Sequence, residues 1–185
     1  MQEPDAQHIQ AISDWLIEQG LLQAPIDTML AGFCDRLFEA GVPLLRANVS
    51  TRTMHPLIDS ISHVWRRGGK VDSRTNTYEE QNHERWLHSP LRTIVETMDT
   101  RLHRTDLTDP AKVASWPVFE EFRREGATEH ALRLIGFGVN GTLTGQTGLM
   151  MTWLTDRPGG FSTRDMNVLE RLMPRLALSA KSTAD

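Results

Sequence analysis

Cysteine is nearly missing from this chain: Cys34 is the one thiol in 185 residues. That excludes an intrachain disulfide and a cysteine-based zinc cluster, and it fits a reducing compartment. An excess of positive charge is missing too. The formal charge of −4 argues against bulk attraction to nucleic acid or to an anionic membrane surface. No apolar run approaches the length of a bilayer span, and the polar, acidic start MQEPDAQHIQ is not a secretory signal. A cytoplasmic protein with neither nucleic acid nor membrane as partner is expected. Catalytic motifs are equally scarce. There is no G-x-S-x-G elbow, no zincin histidine pair and no loop ending in G-K-[ST]. Carboxylates such as Asp59, Glu79 and Glu84 are scattered, and no spacing pairs them.

What is present is ordinary globular material, 39% hydrophobic and 24% charged, of a length that one domain fills. A single domain over residues 1–185 with a core from about residue 8 to 180 is expected. Ile9, Ile12 and Leu16 make one stripe of a helix ending at Gly20. A second helix is expected from Pro25 to Gly41, with Met29, Leu30, Phe33, Cys34 and Leu37 as its apolar face. The period then changes to two. Leu45, Ala47, Val49 and Thr51 alternate with Arg46, Asn48, Ser50 and Arg52, as in a strand with one buried face. Ile61, His63 and Trp65 repeat that period before the Gly68-Gly69 turn, and an edge-like third strand is expected around Lys70 to Arg74. The middle reads as helical or irregular, with Ser89-Pro90 opening one helix and Trp116 another. Strands return at about His130 to Val139 and Gly148 to Thr155, and a last helix runs from about Ser162 to Ala180. Strands on both sides of a helical middle define an α+β architecture built on a mainly antiparallel sheet.

The segment TDRPGGFSTRDMNVLERL, residues 155–172, has the glycines of a phosphate cradle. A cradle needs converging N–H donors and usually a lysine. Pro158 has no N–H, no lysine follows, and Ser162 with Asp165 three residues on is a helix cap. The segment therefore reads as a strand-to-helix turn. Seven histidines, among them His55, His63 and His88, make no recognised ligand set. Cys34 falls on an apolar helix face and reads as core. The tryptophans carry more information. Large aromatics on strands and on a covering segment form a core or wall a small-molecule pocket.

The stretch FSTRDMNVLERLMPRLALS resembles the closing helix of GAF domains. The pieces WLIEQGL, CDRLFEAGVPLLRANVSTRTMHPL, VWRRG, WLHSPL, FEEFRREGATEH, WLTDRPGGFS and LERLMPRLAL run in order from Trp15 to Leu178. As a set they resemble the GAF-like regulatory segment that precedes the catalytic domain of proteobacterial class III adenylate cyclases. The resemblance implies N- and C-terminal helices on one face of the sheet and a helical insert over the other. It implies a regulatory domain that dimerises and controls a class III cyclase catalytic domain, which this chain does not contain. No enzyme activity of its own is expected. The resemblance also implies a small-molecule cavity between sheet and insert. The cyclic-nucleotide N-K-F-D-E type motif and the bilin-attaching cysteine are absent, so no cofactor is assigned.

On that basis a ligand is expected near Trp65, Trp86 and Trp153, with Arg46, His63 and His88 supplying polar orientation. Leu169, Leu172, Met173, Leu176 and Ala180 form a helix face that could extend into a parallel two-helix seam of a homodimer, and Pro174 is expected to kink or restart that helix. The alternative from another class is a structural dimerisation module whose cavity is filled by its own side chains. An independent enzyme ranks last.

Overall fold

A computed structural model describes residues 3–52, 58–77, 80–137 and 148–183. His55, Glu79 and most of the glycine- and threonine-rich connection before Gly148 lie outside the described residues. The fold is α+β. Two helices, α1 (Glu3–Leu21) and α2 (Ile26–Glu39), lead into strands β1 (Leu44–Arg52), β2 (Ile58–Arg66) and β3 (Asp72–Thr77). An insert of α3 (Glu80–Leu87) and α4 (Pro90–Glu96) follows, then β4 (His103–Asp106), α5 (Pro110–Val113) and α6 (Pro117–Arg124). Strands β5 (Glu129–Gly136) and β6 (Gly148–Thr155) complete the sheet before the closing helix α7 (Thr163–Lys181). The strand order is β3-β2-β1-β6-β5-β4, and every described pair is antiparallel.

The apolar stripe of α2 does what its spacing dictates. Met29, Leu30, Phe33, Cys34 and Leu37 are fully buried. Pro25 stands just before the helix, as its cap position and not its first turn, and Gly41 ends the reversal at φ 89°. The helices α1 and α7 lie side by side and run in the same direction. Arg164 Nε donates to Asp5 Oδ1 at 2.8 Å near their starts. Ser179 Oγ donates to the Leu16 carbonyl at 2.8 Å, and Ser182 Oγ to that of Gly20 at 3.0 Å, near their ends. These helices and α2 cover one sheet face, and the main core fills the space with Leu16, Phe33, Val49, Trp153 and Leu172.

Three expectations change. Alternation assigned Leu45 to the buried face with Ala47, but a β-bulge lies between Leu44 and Arg46. The extra residue turns Leu44 into the main core and sends Leu45 to a smaller cluster on the other face. Strand β4 (HRTD) was not expected, since four polar residues hold no apolar alternation. Helix α7 continues through Pro174 to Lys181, and its face of Leu169, Leu172, Met173, Leu176 and Ala180 is buried in the domain's own core. That face is filled by the sheet and α1, so it leaves no seam for a second copy.

Candidate functional site: a cavity between sheet and insert

The pairing register decides which side chains share a face. Arg46 pairs with Arg66 and Leu154, Asn48 with Val64 and Thr152, and Ser50 with Ser62 and Met150. These residues point away from the terminal helices, and His130 pairs with Leu154 on the same side. The even positions of β1 thus make a polar strip down the centre of the sheet, continued by Ser60 and Ser62 on β2 and Arg74 and Asn76 on β3. Above it lie Trp86 of α3, Leu91 and Val95 of α4, and Val118 and Phe122 of α6. Apolar roof groups cannot close onto such a floor without stripping its polar groups of water. A cavity of about 600 Å³ stays between them, within the usual range for small-molecule sites.

Local structure holds the roof. Ser89 caps α4, its Oγ accepting from the Leu91 N–H at 3.1 Å, with Pro90 in the first turn as the sequence predicts. The Arg46 charge on the floor is neutralised by a neighbouring carboxylate. Arg46 Nη1 meets Glu125 Oε1 at 2.7 Å, and its guanidinium lies 5.0 Å from the Phe122 ring centroid. His130 is 3% exposed, stacked on Phe122 with centroids 5.5 Å apart and tilted against Phe119 at 5.1 Å. Burial, with a smaller contribution from the Arg46 charge, lowers its pKa to about 3, so the imidazole is neutral at physiological pH. Ser50 and Ser62 hydroxyls lie 2.8 Å apart, and Asn76 Nδ2 donates to Ser60 Oγ at 3.0 Å and Ser62 Oγ at 3.2 Å. Asn48 Oδ1 is buried with no hydrogen-bond partner.

The structure divides the six residues expected around a ligand. Arg46, Trp86 and His88 border the cavity, His88 at an exposed rim 3.6 Å from Glu84. Trp65, Trp153 and His63 lie on the opposite face, because residues 47, 65 and 153 are paired across the sheet and residue 63 shares their parity. Trp65 donates to Asp35 Oδ1 at 3.0 Å. Trp153 packs edge-on to Phe33 and directs its N–H at Met173 Sδ, 3.2 Å away. His63 Nδ1 lies 2.7 Å from Ser73 Oγ, and burial lowers its pKa. One cavity cannot be shared by all six. The residues that sequence reasoning passed over are Ser60, Ser62, Asn76 and His130. The serines were within reach, since they alternate with Ile61 and His63 on an identified strand.

The Pro-Gly-Gly segment is a turn tied down by the side chains around it. Asp156 takes two bonds from Arg67, at 2.9 and 2.8 Å. The Phe161 N–H donates to Glu129 Oε2 at 2.6 Å, and Arg104 Nη2 donates to the Phe161 carbonyl at 2.9 Å. Ser162 and Asp165 complete a reciprocal capping box, and Arg157 closes on Asp165 at 2.8 Å. Among the described residues no cluster of three His, Cys, Asp or Glu could hold a metal ion, and no helix is long and apolar enough to cross a membrane.

A central antiparallel sheet with terminal helices on one face and a helical insert over the other is the GAF-like fold. The phycoerythrobilin-bound GAF domain of a cyanobacterial phytochrome is similar at TM-score 0.57 and 8% identity, over 94% of this chain and 95% of that one. The GAF domain of a two-component sensor histidine kinase from Bacillus halodurans gives TM-score 0.48 at 13% identity, over 80% of this chain and 90% of that one. An N-acylhomoserine lactone dependent LuxR family transcription factor from Burkholderia cenocepacia gives 0.46 at 11%, over 94% and 92%. No protein-family model and no curated protein matches the chain.

Proposed function

We propose that this chain is a sensory and regulatory GAF-like domain. A small molecule enters the cavity beneath the insert, and α1 and α7 on the opposite face carry the change to a class III adenylate cyclase catalytic domain. The observation behind this reading is the cavity itself, a polar strand floor held apart from a tryptophan-bearing roof. The similarity in fold to a phytochrome domain that holds phycoerythrobilin supports it. A thiol-linked bilin is not proposed, because Cys34 is fully buried in the core on the other side of the sheet.

Dimerisation belongs to the same proposal. Ile17, Leu21 and Leu178 are 53%, 81% and 69% exposed. Each adjoins a residue of the α1–α7 contact in sequence: Ile17 follows Leu16, Leu21 follows Gly20 and Leu178 precedes Ser179. An apolar group of this kind on paired parallel helices suits a second copy of the same helices. Thermal-shift screening against nucleotides and other metabolites tests the ligand, since binding to the folded state raises stability. Light scattering tests the dimer: the wild type is expected as a dimer and Leu178→Glu as a folded monomer. Fusion to a class III cyclase catalytic domain tests output, which the bound ligand should change. A dimer that answers no ligand in the panel is a structural dimerisation module instead.

A further inference from the structure

The floor of the cavity restricts what it can hold, on the premise that the chain senses a small molecule there. Asn76 Nδ2 donates to both Ser60 and Ser62, and Ser62 shares one further hydrogen bond with Ser50. A hydroxyl has one proton to give and two lone pairs to receive with. The amide therefore occupies one lone pair on each of Ser60 and Ser62. Of the three hydroxyl protons, one closes the Ser50–Ser62 contact. The other two, that of Ser60 and one from the pair, have no protein acceptor among the described residues. All three side chains are half-buried and line the cavity, so the floor offers two free O–H donors beside the unpartnered Asn48 Oδ1.

The same floor is poor in free charge. Arg46 is paired with Glu125 at 2.7 Å, and His130 is buried and neutral. Arg74, Glu84, Arg85 and Glu121 also line the cavity, and all four are exposed, so solvent screens them. Apolar surface faces the donors, from Met150 below and from Trp86 and Leu91 above.

We infer that the cavity takes an uncharged amphipathic molecule carrying a carbonyl or ring-nitrogen acceptor. The acceptor lies on the Ser60 and Ser62 hydroxyls, and the apolar body lies beneath Trp86 and Leu91.

Three fluorescent probes test the class directly. Prodan is uncharged and has a ketone acceptor but no N–H or O–H. Phenylnaphthylamine is uncharged with an N–H donor and no carbonyl. Anilinonaphthalene sulfonate is an anion. Prodan is expected to saturate one site and to bind about tenfold tighter than the sulfonate. Ser60→Ala should weaken prodan about fivefold to tenfold, the effect of one hydrogen bond. It should also shift bound emission to the blue, because the ketone loses a donor, while Tm is unchanged. Asn76→Asp replaces the donating amide with a carboxylate that accepts from both hydroxyls, so their lone pairs turn to the cavity. That variant should reverse the preference, phenylnaphthylamine over prodan. Tighter binding of the sulfonate, or a Ser60→Ala protein with unaltered prodan affinity and emission, overturns the ligand class and leaves the sensory reading standing. No binding of any probe, together with silence in the metabolite screen, overturns both.

Discussion

His130 gives the cavity a measurable acid sensitivity. Its ring is packed against Phe119 and Phe122 and nearly sealed from solvent, and its pKa falls from 6.5 to about 3. An unfolded chain takes up the proton near pH 6.5, while the folded chain refuses it until near pH 3. Between those limits the unfolded state binds more protons, so stability is complete above the upper limit and declines as the pH falls toward the lower one. The slope is about 1.4 kcal/mol per pH unit once the unfolded histidine is protonated. From about pH 8 to about pH 5 this single group removes roughly 2 kcal/mol, or about 4–8 °C in Tm for a domain of this size. Carboxylates also titrate in acid, so the quantity to measure is a difference. In His130→Phe an apolar ring of similar size takes the same place between the two phenylalanines. Urea unfolding of both proteins across that pH range should show the variant losing about 2 kcal/mol less than the wild type. Parallel stability curves would refute the reasoning, because they would mean that the imidazole is solvated or already protonated in the folded state.

At Gly160, φ is 80° and an added Cβ would overlap the Glu129 carboxylate that accepts from Phe161. Gly160→Ala is therefore expected to cost on the order of 3 kcal/mol by chemical denaturation. Gly159, at φ 85° with open space around it, supplies the control, and Gly159→Ala should cost only about 1 kcal/mol. Asn48→Val removes a buried unpaired acceptor between Val64 and Thr152. It should stabilise the ligand-free protein by about 1 kcal/mol, read as a rise in Tm.

Elements with a strong local period are legible in the sequence alone. The stripe of α2, the alternation of β1, the Ser89-Pro90 start and the Ser162–Asp165 cap all rest on neighbours within a turn or two. What depended on long-range pairing was not legible. Arg46 and Trp65 were assigned to one site, but the pairing of Arg46 with Arg66 sets Trp65 on the opposite face. That register is a relation between two strands, and neither strand's own pattern contains it. The bulge beside Leu45 inverted one position for the same reason. Strand β4 owes its existence to the edge of β5 and not to its own four residues. The cavity's tryptophan, Trp86, was identified. Its serine and asparagine floor was passed over because small polar residues on a strand look like a solvated face until an insert covers them.

The most direct test of a ligand-holding sensor is native mass spectrometry of the protein purified without refolding, beside Met150→Trp, which fills the floor of the cavity. The wild type is expected to retain one bound small molecule per chain. The variant, shown to be folded by circular dichroism, is expected to carry none. Bare protein masses for both, with no thermal shift across the metabolite panel, would contradict the account.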